Sequence, residues 1–290
     1  MSSQYDLIIL AACFNRKNKT KAFLKSVSKQ CRELEKSFRI LIVDNNSTDG
    51  TAECIREIDP EVEVLNTPKD MYWAQSMVFG FDWIINKQVD FKLLLAANDD
   101  ISLNDRAIEV LLRDSDKIKS ERPNFALVGA FCDSEDGRYT YGGQRPRFSY
   151  MRSVLESVPV SGDLSVCESF NMNLVILPKL VMETYGFLDR NFVHGLADFD
   201  FGLRLSSKGV TILQTAEYIG VCNRNPNRNG PHDPQLSLKK RYSAVFSSKG
   251  NPIGPTLRYT WRHSGILSVV HLLYIYLSPA LVVLKRLSNR

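Results

Sequence analysis

Phe91-Lys92-Leu93-Leu94-Leu95-Ala96-Ala97-Asn98-Asp99-Asp100 is the stretch on which the fold turns. An apolar run of strand length gives way abruptly to amide and carboxylate side chains. Continuous apolar runs suit strands covered on both faces, as in parallel sheets. Ligands of open α/β sheets sit beyond the carboxyl ends of such strands. Oxygen donors placed there can hold a hard divalent cation. Such an ion bridges diphosphate oxygens and neutralises the charge that develops on a leaving nucleotide. A local role competes: Asp100 or Asn104 can cap a helix starting near Asp105. The motif alone does not choose between them.

Outward from this stretch the first 130 residues alternate between strand and helix patterns. Residues 7–13 form an apolar run, and 17–31 read as a helix with Ala22, Phe23, Val27 and Cys31 near one face. A strand over 39–43 ends in Asp44-Asn45-Asn46-Ser47-Thr48-Asp49-Gly50, a dense turn and helix-start signal. A helix to 57, a short strand over 62–65 and an aromatic-rich helix over 72–86 follow. Beyond Asp100 come a helix over 106–119 and a strand over 125–131. This alternation predicts an α/β fold, a Rossmann-like and mostly parallel central sheet with helices on both faces. Asn15, Asp44 and the 98–100 cluster all follow the carboxyl ends of predicted strands, so one edge of one sheet collects them. Asp44 can accept from a nucleobase N–H or organise the 45–50 turn.

The second half is less regular. Residues 138–148 are turn-rich and polar-aromatic, 170–177 read as a strand and 179–185 as a short helix. A helix over 198–208 closes on Gly209, strands are expected over 210–213 and 217–221, and 223–234 is a polar loop. Asp198 and Asp200 open the helix, where the dipole favours carboxylates. Either can instead be a general base, but residues two apart do not share a helix face. His194 and His232 can ligate a metal or simply pack. Arg224 and Arg228 can clamp phosphates or remain solvated.

The chain has 290 residues, 44% hydrophobic and 24% charged, which suits one large α/β domain, or one domain with a modest appendage, and argues against a disordered chain. A net charge of +5 suits an anionic partner, a nucleotide diphosphate or an acidic membrane surface. The basic residues are spread out, so no nucleic acid is expected. The six cysteines lack C-x-x-C spacing and read as buried free thiols in a reducing, cytoplasmic compartment. No signal peptide is visible. Residues 264–284 carry no Asp, Glu, Lys or Arg, and Lys285-Arg286 follow. This C-terminal apolar helical segment can lie on a membrane, span it, or be buried within the chain or an oligomer such as a homodimer. Arg258, Arg262 and His263 upstream suit anionic headgroups.

The run Ile42-Val43-Asp44-Asn45-Asn46-Ser47-Thr48-Asp49-Gly50-Thr51 resembles the nucleotide-binding segment of family 2 glycosyltransferases. Leu94-Leu95-Ala96-Ala97-Asn98-Asp99-Asp100 resembles that family's Asp-x-Asp loop, and Phe187-Leu188-Asp189 with 194–204 its catalytic-base segment. Order and spacing match over roughly 5–222. The resemblance implies a GT-A fold over 1–235, with a nucleotide-sugar half to 130 and an acceptor half over 131–235. A C-terminal helical, membrane-associating extension over 236–290 follows. It implies an inverting transfer from a UDP- or dTDP-linked sugar, with Mg or Mn, to a glycan or lipid-linked acceptor in surface polysaccharide synthesis. The place implied is the inner face of the cell membrane.

Carried over residue by residue, the resemblance implies Asp100 as the principal metal ligand with Asn98 beside it, and the residue reading adds His232 as a further candidate donor. Asp44 contacts the base, and Ala11, Asn15, Arg16, Asn46, Asn98 and Asp99 complete the nucleotide-sugar set. The resemblance implies Asp198 as the general base, with Asp200 as the competing carboxylate. Asn171, Asn173 and His194 lie on the acceptor side. Two departures stand out: Asn98 replaces the usual first Asp, and Ala197 replaces a frequent Glu. The runner-up readings are a non-catalytic GT-A-like binder or scaffold, and a nucleotidyltransferase. The latter is disfavoured because Cys13-Phe14-Asn15-Arg16 contains no glycine.

Overall fold

A computed structural model describes residues 4–149, 152–224, 230–231, 233 and 235–288. The first half contains β1 (Tyr5–Cys13), α1 (Lys17–Arg32), β2 (Phe38–Asp44), α2 (Thr51–Ile58), β3 (Glu63–Asn66) and α3 (Trp73–Asn86). It continues through β4 (Phe91–Asn98), β5 (Ser102–Leu103), α4 (Ala107–Glu121) and β6 (Phe125–Cys132). Then follow β7 (Tyr139–Tyr141), β8 (Gly143–Ser149), β9 (Arg152–Ser157), β10 (Ser165–Cys167), β11 (Ser169–Phe170) and β12 (Leu174–Pro178). The remainder is α5 (Lys179–Tyr185), α6 (Ala197–Ser207), β13 (Thr211–Val221), α7 (Leu238–Phe246), α8 (Ile253–Ser264) and α9 (Ser268–Ser288).

The main sheet runs β3-β2-β1-β4-β12-β6-β13-β10. Strands β3, β2, β1 and β4 are parallel, as the apolar runs predict. Side chains alternate between two cores. Ile8, Leu10, Leu94 and Ala96 face α3 and α6, whereas Leu7, Ile9, Leu93 and Leu95 face α1 and α4. Both faces are therefore covered, and only the strand ends are open to a ligand.

Three elements differ from the expectation. The 170–177 strand is broken at 171–173, and its second part, β12, runs antiparallel between β4 and β6. Its start, not its end, thus meets the carboxyl ends of β1, β2 and β4. The 138–148 stretch is not a plain turn region: β8 pairs with β9 and β11 in a second sheet. The strands expected over 210–213 and 217–221 are one strand, β13, with register shifts around Gln214 and Tyr218.

The stretch Ile253–Leu281 is long and apolar enough to cross a membrane, and only 17% of its most apolar window is buried. Gly265 interrupts it with a φ of 52°. Helix α9 carries Pro279, whose missing N–H frees the Ile275 carbonyl; Ser278 Oγ occupies that carbonyl at 3.1 Å. Ile253, Leu257 and Trp261 on α8 and Val269, Leu273, Leu277 and Leu281 on α9 are exposed at four-residue spacing.

Candidate active site

The loops after β1, β2 and β4 are tied into one unit. Asn15, held at a φ of 48°, donates its N–H to Ser47 Oγ at 2.9 Å and accepts from the Thr48 N–H at 2.8 Å. Asp49 Oδ2 accepts from the Lys17 N–H at 3.0 Å, satisfying an open donor at the start of α1. Asp44 is buried; its Oδ1 accepts from the Ser47 N–H at 3.2 Å and from the Ser47 hydroxyl. The turn-organising role of Asp44 is thus realised, and none of these bonds uses Oδ2. Asn45 fastens the approach to α3, accepting from Met71 N–H at 2.6 Å and Thr67 Oγ1 at 3.0 Å. Asn46 also adopts positive φ, at 58°, and is exposed.

The 98–100 cluster divides its side chains three ways. Asp99 turns under α1, accepting from Thr20 Oγ1 at 2.7 Å and Arg16 Nη1 at 3.2 Å. Burial raises its carboxyl above the ordinary range, outweighing Thr20 and Arg16. Asp100 is more accessible and meets Arg16 Nη1 at 2.9 Å, with Lys19 Nζ at 3.9 Å. Asn98 Oδ1 is buried without a hydrogen-bond partner. The helix-capping alternative is not realised: Asn104 Nδ2 bonds the Tyr218 carbonyl at 2.8 Å, and α4 starts without a side-chain cap.

The antiparallel β12 brings its leading turn to this edge, where the Asn98 N–H donates to the Asn173 carbonyl at 2.9 Å. Asn173 is itself buried, with Nδ2 on Cys222 Sγ at 3.4 Å, and Asn171 Oδ1 accepts from Gln144 Nε2 at 3.0 Å. The turn also receives α6. Asp198 Oδ2 accepts from the Met172 N–H at 3.4 Å, and Oδ1 from the Phe199 N–H at 2.9 Å. Gly202 allows this approach, since a Cβ there would lie 2.7 Å from Ser169 Cα. Burial raises the Asp198 carboxyl from 3.8 to about 6, and the backbone N–H groups of Phe199, Met172 and Asp198 itself only partly offset it. No cation pairs with Asp198 among the described residues.

Asp200 is different. It is fully buried and bonded by Arg204 Nε at 2.9 Å, Arg262 Nη1 at 2.6 Å and His263 Nε2 at 2.9 Å. Burial alone would raise its carboxyl, but His263, Arg204 and Arg262 together pull it below the ordinary range. His194 stands beside Tyr72, with ring centroids 5.9 Å apart, and its buried Nδ1 has no partner. Burial first, then Lys249 and Arg16, lower its basicity, which keeps the imidazole neutral near pH 7. Trp73 Nε1, at the start of α3, is a further buried and unpartnered donor.

Several expected residues fall elsewhere. Ala11 is 0% exposed, packed in the core against α1, so it cannot line a pocket; Phe14, 51% exposed, stands at the mouth instead. Arg224 reaches the Tyr139 and Thr140 carbonyls at 3.4 and 3.5 Å. His232 and Arg228 lie outside the described residues. Arg262 and His263 do not await headgroups but bind carboxylates inside the fold. Asn45, Thr20 and these α8 cations were not singled out for the site. The four-residue spacing of Arg258 and Arg262 is the signal that marks one helix face, with His263 beside it.

Asn98 and Asp100 offer hard oxygen donors, one of them an orphaned buried atom, which fits a divalent cation shared with a diphosphate. Among the described residues no group of three His, Cys, Asp or Glu side chains forms a metal cage.

The sequence profile of the family described as Glycosyl transferase family 2 matches residues 8–170, more than half of the chain. A dolichyl N-acetyl-alpha-D-glucosaminyl phosphate 3-beta-D-2,3-diacetamido-2,3-dideoxy-beta-D-glucuronosyltransferase of Methanococcus voltae is 26% identical over 225 residues, 73% of this chain and 62% of that protein. The O-antigen biosynthesis protein RfbC of Myxococcus xanthus is 25% identical over 252 residues, 79% of this chain and 18% of that protein. The chain thus spans less than two thirds of either relative. Among solved structures, GalNAc-T7 with UDP, GalNAc and Mn2+ superposes with a TM-score of 0.56 at 13% identity, covering 84% of this chain and 48% of that one. The mannosyltransferase PcManGT from Pyrobaculum calidifontis, with GDP-Man and Mn2+, gives 0.52 at 13% identity, covering 99% and 81%. The fold is GT-A-like, as the resemblance implies.

Proposed function

This chain belongs to glycosyl transferase family 2, and we propose that it moves a sugar, with inversion, from a nucleotide-diphosphate donor to a hydroxyl of a glycan or lipid-linked glycan. The carrying observation is Asp198: a desolvated carboxylate, raised to about 6 and free of cations, at the edge where the β1, β2 and β4 loops meet. In the step, the acceptor oxygen bonds to the anomeric carbon as the bond to the diphosphate oxygen breaks. The hydroxyl proton passes to Asp198, and the nucleotide diphosphate leaves with the bonding pair. A base with a value near 6 is ionised at neutral pH yet more basic than an exposed Asp.

The donor's base would sit between Phe14 and Asp44 Oδ2, with Asn15 and Asn46 shaping the loops. Arg16 supplies a cation toward the diphosphate. Asn98 and Asp100 would hold Mg or Mn, which when bound neutralises the leaving diphosphate. The unpartnered Trp73 Nε1 and His194 Nδ1 suit ligand oxygens, since buried polar atoms are costly when unmet. Asn171 and Asn173 shape the acceptor side through the turn they form. Asp200, held by Arg204, Arg262 and His263, is a structural carboxylate in this reading. The exposed apolar strip of α8 and α9 supports peripheral contact with the cytoplasmic face of a membrane, where a lipid-linked acceptor would be reached. Burial of that strip against a second copy is the competing reading.

Titration of UDP-, dTDP- and GDP-sugars with and without Mn2+ tests the donor reading. One nucleotide class should bind, more tightly with the ion, and Asp100→Ala should abolish the ion's contribution. Equal binding by Asp100→Ala with ion or chelator would remove the metal from the proposal. No binding of any sugar nucleotide would leave the non-catalytic scaffold.

A further inference from the structure

Helix α8 has two faces with different chemistry. Leu257 and Trp261 point outward with Ile253. Arg258 and Arg262 share another face, and Tyr259 with His263 packs next to it at 5.0 Å between rings. The helix contains no carboxylate. Its cations go to the segment that precedes and carries Asp198. Arg262 bridges two carboxylates: Nη1 lies 2.6 Å from Asp200 Oδ1 and Nη2 2.7 Å from Asp189 Oδ2. Arg258 Nε adds a 2.8 Å contact to Asp189 Oδ2, and His263 Nε2 a 2.9 Å contact to Asp200 Oδ1. Asp189 Oδ1 is taken by Asn191, through its N–H at 3.0 Å and Nδ2 at 2.7 Å.

The segment from 189 to 200 is therefore stapled at both ends by one guanidinium. Between the staples the chain passes through Leu196, whose φ of 67° is rare for a bulky side chain. Such a conformation persists only where its surroundings over-determine it. Two residues later comes Asp198. The cations are also distributed selectively: Asp189 and Asp200 are paired, whereas Asp198 receives only backbone N–H groups. Had Arg262 reached Asp198, the ion pair would have depressed its basicity.

We infer that α8 is a positioning element of the transfer site, in which Arg262 and His263 hold the base-bearing segment through Asp189 and Asp200. The inference rests on the reading of Asp198 as the base. It makes α8 a support of the base-bearing segment, and the same helix presents its apolar face outward. Arg262, His263, Asp189 and Asp200 are positioning residues; none of them is assigned contact with substrate.

The test uses the full chain with its donor and acceptor, comparing Arg262→Ala, Arg262→Lys, His263→Gln and Asp198→Asn. A misplaced base lowers kcat without touching the donor pocket, and displacements of an ångström can cost about 100-fold. Arg262→Ala should lower kcat by about 10- to 100-fold while donor KM stays within about twofold. Arg262→Lys, which can keep one of the two bonds, should recover part of the loss. His263→Gln removes the ring that meets Asp200 and Tyr259 but leaves both guanidinium bonds of Arg262; it should give a smaller fall of the same kind, so it decides the matter if Arg262→Ala does not fold. Unchanged kcat in whichever of the two folds, or kcat and donor affinity falling in parallel, overturns the inference. Full transfer by Asp198→Asn overturns the base assignment instead, and so separates the two failures.

Discussion

Replacing Asp198 with Asn should remove transfer and, at pH 8, make the protein more stable. Burial raises the carboxyl from 3.8 to about 6. A folded-state value above the unfolded one means that the folded chain holds its proton more tightly between those two values. Stability is therefore lost as pH rises through that window, and the full cost is carried above it. A shift of about two units corresponds to about 3 kcal/mol at ~1.4 kcal/mol per unit. This is an upper bound, because Asp198 is only partly buried. The amide has the same shape and no charge, so it removes the cost. It keeps one acceptor for the Phe199 N–H at 2.9 Å, but its NH2 group then faces the Met172 N–H now at 3.4 Å. That loss is worth about 1 kcal/mol. The remaining gain is about 1–2 kcal/mol, or a few degrees in Tm at roughly 2–4 °C per kcal/mol for a larger domain. Thermal denaturation at pH 8 and pH 5 reads it. The advantage should shrink at pH 5, where the wild-type carboxyl is mostly protonated. A lower Tm at both pH values would refute desolvation as the origin of the shift.

The acid limb of kcat/KM should follow Asp198, with the value at pH 5 about one tenth of its plateau, given a carboxyl near 6 in the free protein; a flat profile down to pH 5 would contradict it. Asp189 and Asp200 are lowered below the ordinary range, so their stability contribution is present above about pH 4 and lost as pH falls; Asp189→Asn should flatten the acid side of a Tm-against-pH curve. Thr20→Val strands the buried Asp99 oxygen at a cost of about 1–3 kcal/mol, read by chemical denaturation. Trp261→Glu with Leu273→Glu should abolish co-sedimentation with anionic vesicles while a soluble acceptor is still used; unchanged co-sedimentation would favour a second copy over a bilayer.

Strands β1, β2 and β4 were legible because each is an apolar run bounded by polar punctuation. Leu93-Leu94-Leu95 has one reading when both faces are buried. The direction of β12 was not legible, since an apolar run does not say which end points to the ligand. Yet that direction places Asn173 against Asn98 and Met172 against Asp198. Ala11 lies on β1, a central strand covered on both faces, so its methyl meets a core whichever way it points, and a place near the carboxyl end of the strand does not by itself open it to a ligand. The pairing of β8 with β9 stayed hidden because Gly143-Gln144-Arg145-Pro146-Arg147 gives no period-two apolar signal. The pairing of Arg262 and His263 with Asp200 spans about 60 residues of chain, and charge alone made a headgroup an equally good partner.

The central claim is tested most directly by single-turnover transfer from prebound donor, with Asp198→Asn and Asp200→Asn measured beside the wild type. Asp198→Asn should bind donor as the wild type does and transfer nothing, while Asp200→Asn should retain measurable transfer at reduced rate. Undiminished transfer by Asp198→Asn, or complete loss confined to Asp200→Asn in a folded protein, would contradict it.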